Sequence, residues 1–158
     1  MLYWDTVNGW GYWDTDWIWS LALIAITITI HAIGVVVIAA AMQRLKDKDA
    51  HRTHPFLESG LGTVMLIVGV ASSLVVFHAI ECVIWAIVYV HLGALHSPAD
   101  AVLYSVDSMT TRGSSGLFLE RQWRLMGAAE AGDGMLLFGI STAFVFYVMV
   151  RAWKSEFI

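Results

Sequence analysis

A chain of 158 residues with 58% hydrophobic and only 14% charged residues carries more apolar surface than a soluble core of this size can hide. Its positive mean hydropathy reads as an integral membrane protein. The net charge of -4 comes with no basic cluster, which argues against a nucleic-acid partner, and the single cysteine, Cys82, excludes an internal disulfide.

The N-terminal stretch is dense in amphipathic rings: Tyr3, Trp4, Trp10, Tyr12, Trp13, Trp17 and Trp19. Its charges are all acidic, at Asp5, Asp14 and Asp16. Rings at this density suit an anchor at the membrane–water interface, with a ligand-stacking site as the sharper alternative. Met1 is followed by aromatic and acidic residues and not by a basic region, so no cleavable signal peptide is expected.

A first span is predicted over residues 17–42, with Ser20, Thr27, Thr29 and His31 as its polar exceptions. It exceeds the ~20 residues that a helix needs to cross a bilayer. Gly34 and the alanines at 39–41 suit close helix packing. The linker at 43–59 sets Arg44, Lys46, Lys48 and Arg52 against Asp47, Asp49 and Glu58, and short basic loops stay in the cytoplasm. His51 and His54 lack the rest of a ligand set, so no metal site is expected there.

A second span covers residues 61–92. His78 and Glu81 lie one helical turn apart within it, and Trp85 and Tyr89 continue that face. Ionisable groups at such depth rarely face lipid. The pair reads as a buried bridge between helices or as a proton-sensitive switch. A third span at 123–153 holds Glu130, Asp133 and glycines 127, 132, 134 and 139, with Arg151 and Lys154 at its end. The basic linker and C-terminus place both in the cytoplasm and the acidic N-terminus outside.

The stretch at 93–122 is then entered from outside. Its middle, Ser105 to Gly116, is the least hydrophobic run between two long apolar segments, and it ends in small polar residues and glycines. Backbone at membrane depth persists only where protein buries it or it lines water. A re-entrant loop is expected: a short helix, then an extended lining segment.

The residues from Ala101, Val-Leu-Tyr-Ser-Val-Asp-Ser-Met-Thr-Thr-Arg-Gly, resemble the pore helix of potassium channels, which leads into a Thr-Thr-Val-Gly-Tyr-Gly-Asp filter. Trp123-Arg124-Leu125 and the run from Gly134 to Ala143 resemble that family's inner helix. The resemblance covers roughly residues 62–150. It implies an all-α membrane fold with three spans and a re-entrant pore helix and loop, assembled as a homotetramer. Residues 1–60 would carry the interfacial segment, an added helix and the linker, and residues 61–158 the pore module.

The resemblance also implies site residues. Thr110, Thr111, Arg112, Gly113, Ser114, Ser115 and Gly116 stand where the filter would be. Gly134 matches a hinge, and Met135, Phe138 and Thr142 match positions lining a cavity. The filter departs from the family at four places, with Arg112 for valine, Ser114 for tyrosine, Ser115 for glycine and Gly116 for aspartate. Four copies of Arg112 at about 8 Å from the axis would each cost a monovalent cation about 2 kcal/mol.

Arg112 is therefore expected to turn away from the axis and brace the loop through Asp107 or Glu130, with Glu81 at a similar depth. The alternative is an anion-permeable pore with Arg112 facing the axis. Asp133 reads either as a cavity carboxylate or as a buried salt-bridge partner. The function expected is passive ion conduction in a bacterial inner membrane, with atypical selectivity; the alternative is a non-conducting scaffold. Permeant monovalent ions are the ligands implied, and the chain itself and the bilayer are the partners. No nucleophile motif appears, Cys82 sits in an apolar run, and neither catalysis nor a cofactor is expected.

Overall fold

The computed structural model describes residues 9–51, 59–113 and 116–153. Among the described residues the fold is all-helical: α1 (Gly9–Ala50), α2 (Gly60–His91), α3 (Pro98–Met109) and α4 (Arg124–Trp153), with one 3-10 turn at Arg121–Trp123. Three segments, Thr15–Ala50, Gly60–His91 and Arg121–Ala152, are long and apolar enough to cross a membrane. Tyr3, Trp4, Asp5, Arg52, His54, Glu58, Ser114, Ser115 and Lys154 lie outside the described residues.

Helix α1 is longer than the expected span and takes up the first half of the linker. Residues 43–50 hold good helix formers, among them Gln43, Arg44, Leu45, Lys46 and Lys48, and no glycine or proline stops them. Ser59 caps the start of helix α2: its Oγ accepts from the Gly62 N–H at 3.1 Å. It ends where Gly93 takes φ +66°. There the Gly93 N–H bonds to the Val90 carbonyl and the Ala94 N–H to the Tyr89 carbonyl at 2.8 Å, the double bond pattern that closes a helix on a left-handed residue.

Helix α3 is strongly punctuated. Ser97 Oγ accepts from the Asp100 N–H at 3.3 Å, and Pro98 follows at the first helical position. Asp100 puts a carboxylate in the first turn, where the helix dipole favours negative charge. Twelve residues in isolation would be marginal, so α3 depends on the packing around it.

The chain divides into two compact units, each taking a stretch of every long helix. The first comprises Met1–Ile28 and Ile80–Leu136, and so contains α3; the second comprises Thr29–Ala79 and Leu137–Ile158. In the first unit α3 lies against glycines of α4. A Cβ built on Gly127 would meet Tyr104 Oη at 2.1 Å, and one on Gly134 would meet the Met109 carbonyl oxygen at 2.2 Å. These glycines are seven residues apart, so both fall on one face of α4. On the other side Ser105 Oγ lies 2.9 Å from the Cys82 carbonyl oxygen of α2, and the Cys82 thiol donates to Met109 Sδ at 3.5 Å.

The interior of this unit mixes apolar groups such as Trp85, Tyr89, Met109 and Met126 with many polar ones. Asp16, Ser20, Thr27, Glu81, Ser105, Asp107, Glu130 and Asp133 are buried, while Ile18, Leu21, Ile26, Ile87, Met135 and Leu136 are exposed. Water would punish that distribution, whereas lipid favours it.

The second unit has an apolar core of Met42, Leu66, Val70, Leu74, Phe144 and Val148, with Val35, Ile38 and Ile67 packed against it. Gly34 lies under the Phe77 ring, which a Cβ there would meet at 2.7 Å.

Candidate functional site

The expected filter begins at the C-terminal end of α3. The Thr110 N–H bonds to the Val106 carbonyl, the Thr111 N–H to Ser108 and the Arg112 N–H to Asp107, the last at 3.0 Å. Thr111 has φ +55°. It therefore occupies the left-handed position that ends a helix, which a β-branched residue rarely takes. The extended lining segment expected from the sequence does not begin here. Thr110 and Thr111 close a turn instead, because the last carbonyls of α3 find their donors in the next residues. Gly113 and Gly116 follow with φ +83° and +85°, which only glycine adopts without strain.

Arg112 is paired with Asp107. Its Nη2 lies 2.7 Å from Asp107 Oδ1 and donates to Oδ2 at 3.0 Å. The arginine side chain is 62% exposed and the aspartate 2%, so the pair joins a buried anion to a surface cation. Glu130, the other acid expected to receive Arg112, is engaged elsewhere. Tyr89 Oη donates to Glu130 Oε2 at 2.6 Å, and Ser105 Oγ donates to Oε1 in a short bond. The reason is register: Glu130 lies between Gly127 and Gly134 on the part of α4 that Tyr104, Ser105 and Met109 cover.

Asp133 and Asp16, two further buried acids of the first unit, also meet neutral donors. Asp133 Oδ2 accepts from Thr27 Oγ1 at 2.6 Å and from Trp85 Nε1 at 3.3 Å. With 1% exposure Asp133 faces into the interior of the first unit. Asp16 Oδ2 accepts from the Leu125 N–H at 3.2 Å, which places a carboxylate of α1 at the start of α4. Three of the helices are thus tied together by carboxylates that accept from hydroxyl, indole and amide groups. Gly134 is a point of close approach to the Met109 backbone. Met135 is 61% exposed.

In the second unit, Phe138 and Thr142 are exposed and line one cavity of about 380 Å³ with His78, Ser141, Leu74 and Phe146. Thr142 Oγ1 donates to the Phe138 carbonyl at 2.8 Å. His78 stacks on Phe138, with ring centroids 4.2 Å apart. Its Nε2 lies 3.0 Å from Ser141 Oγ, and His31 Nε2 lies 3.0 Å from the same hydroxyl. Glu81, one turn further along α2, belongs to the first unit and is fully buried.

The sequence reading missed the junction of His31, Ser141 and His78, because no spacing connects residues on three different spans. The available signal was weaker: two histidines and a serine at membrane depth, each of which needs a polar neighbour. No family model, curated protein or solved structure matches the chain.

Proposed function

We propose that the chain forms a passive ion-conducting pore in a bacterial inner membrane, as a homotetramer whose N-terminus lies outside and whose C-terminus is cytoplasmic. In this reading α3 is the re-entrant helix, and the residues from Thr110 to Gly116 line the passage. The carrying observation is the Arg112–Asp107 pair, with 2.7 Å between Nη2 and Oδ1. It gives the one cation of the loop an anion of its own, which lowers the barrier that four unpaired arginines would raise to a cation. The packing of the first unit also supports the reading, because α3 touches α2 through Ser105 and α4 through Gly134. Selectivity would differ from a potassium filter, because a helix-ending turn at Thr111 is not a stack of carbonyl rings.

That same turn favours a second reading, a channel-like scaffold that does not conduct. Ion flux into liposomes under separate potassium, sodium and chloride gradients tests both. Cation flux that falls on Arg112→Ala supports the pore with a paired arginine. Chloride flux would place Arg112 on the axis, and no flux under any gradient would leave the scaffold.

A further inference from the structure

The second unit brings together three residues that no sequence motif connects. His31 of α1 is 1% exposed and His78 of α2 is 8% exposed. Their rings lie 5.0 Å apart, tilted by 37°. Ring nitrogens of the two come within 4.8 Å of each other. Ser141 of α4 bridges them, 3.0 Å from Nε2 of each. A hydroxyl has one hydrogen. It can donate to at most one of the two ring nitrogens, and its lone pairs can accept from the other.

We propose that His31, His78 and Ser141 form a binding site for a divalent transition cation of zinc's class. Zinc takes imidazole nitrogen at about 2.0–2.1 Å, so two such ligands stand roughly 3.3–4.2 Å apart, depending on the angle at the metal. A small inward shift of the rings reaches that spacing from the present one. Imidazole is a preferred ligand for zinc, copper and nickel, and it binds through a neutral ring nitrogen. The cavity of about 380 Å³ touches both His78 and Ser141 and has room for the waters that would complete four-coordination. Phe138, stacked on His78 at 4.2 Å, holds that ring in place. Ser141 then serves as a weak ligand, or as the hydrogen-bond partner of a metal-bound water. The site is independent of whether the chain conducts.

The test is equilibrium binding. Purified full-length protein in detergent, stripped with a chelator, is titrated with zinc against a chromogenic competitor. One ion per chain is expected. His31→Ala and His78→Ala should each weaken binding by at least about tenfold, and Ser141→Ala by less. His51→Ala and His96→Ala, on exposed residues, should leave binding unchanged. Where an alanine variant fails to fold, His78→Cys keeps a ligand in place. With cobalt as the probe, it should show a thiolate charge-transfer band that the unmodified chain lacks. No uptake at about 100 μM zinc, binding unaltered by both alanine variants, or no such band in folded His78→Cys would each overturn the site. None of these readouts uses ion flux.

Discussion

Arg112 returns to Asp107 twice: its backbone N–H donates to the Asp107 carbonyl at 3.0 Å, and its guanidinium holds both carboxylate oxygens, at 2.7 and 3.0 Å. The contact spans five residues across the end of α3, so it fastens the loop to the last turn of its own helix. Removing the cation leaves a nearly fully buried carboxylate short of its strongest donor. Arg112→Ala is therefore expected to destabilise the chain in detergent by about 1–3 kcal/mol. Arg112→Ala combined with Asp107→Asn should recover part of that loss, because the buried group is then neutral. Thermal unfolding of the two variants beside the unmodified chain measures it, and an unchanged midpoint in the single variant would show the pair to be without structural weight.

Thr111 sits at φ +55° without glycine's freedom. A left-handed conformation costs an L-residue roughly 1–2 kcal/mol, most for one branched at Cβ. Thr111→Gly is expected to raise stability by up to about 1 kcal/mol, since glycine's extra freedom in the unfolded chain offsets part of the relief. Thr111→Val should not gain. Comparison of unfolding midpoints decides it, and a loss of stability in the glycine variant would mean that the threonine side chain is needed at the turn.

Gly134 and Gly132 lie two residues apart on α4 and differ completely in what surrounds them. A Cβ at 134 would meet backbone of Met109 at 2.2 Å, and one at 132 would meet nothing within 4 Å. Gly134→Ala must push α3 and α4 apart and is expected to cost about 1–3 kcal/mol. Gly132→Ala should be neutral or stabilising by up to about 1 kcal/mol through helix propensity. Equal effects in an unfolding assay would refute the close packing of α3 on Gly134.

Glu130 collects donors from two helices, Tyr89 Oη of α2 and Ser105 Oγ of α3. Glu130→Leu leaves the buried Tyr89 hydroxyl without its acceptor, while Ser105 keeps the Cys82 carbonyl, and is expected to cost about 1–3 kcal/mol. Glu130→Gln keeps an acceptor oxygen in the same place and should cost much less. Protease resistance of the segment around α3 in the two variants reads this out; leucine tolerated as well as glutamine would count against the anchoring role.

Span number and placement were legible in the sequence because a bilayer demands long apolar runs and a helix converts length to thickness at a fixed rise. The second and third spans were placed within a residue or two of α2 and α4. The short helix was legible too, since Ser97, Pro98 and Asp100 supply a start signal that acts locally. The length of α1 was less so. The basic residues that signal a cytoplasmic loop are also good helix formers, and charge and propensity pointed to different ends.

Which acid would meet which donor lay beyond any reading of the chain in order. Asp107 and Glu130 are equally plausible partners for Arg112 by depth. The choice fell to the register of α3 on α4, set by where Gly127 and Gly134 let Tyr104 and Met109 come close. The turn at Thr111 depends on the Val106, Ser108 and Asp107 carbonyls, which take the N–H groups of Thr110, Thr111 and Arg112. The meeting of His31 and His78 on Ser141 needs three spans packed at once. Composition and periodicity act along the chain and determined the elements. Hydrogen-bond partners between elements depend on rotation and register, which only packing in three dimensions decides.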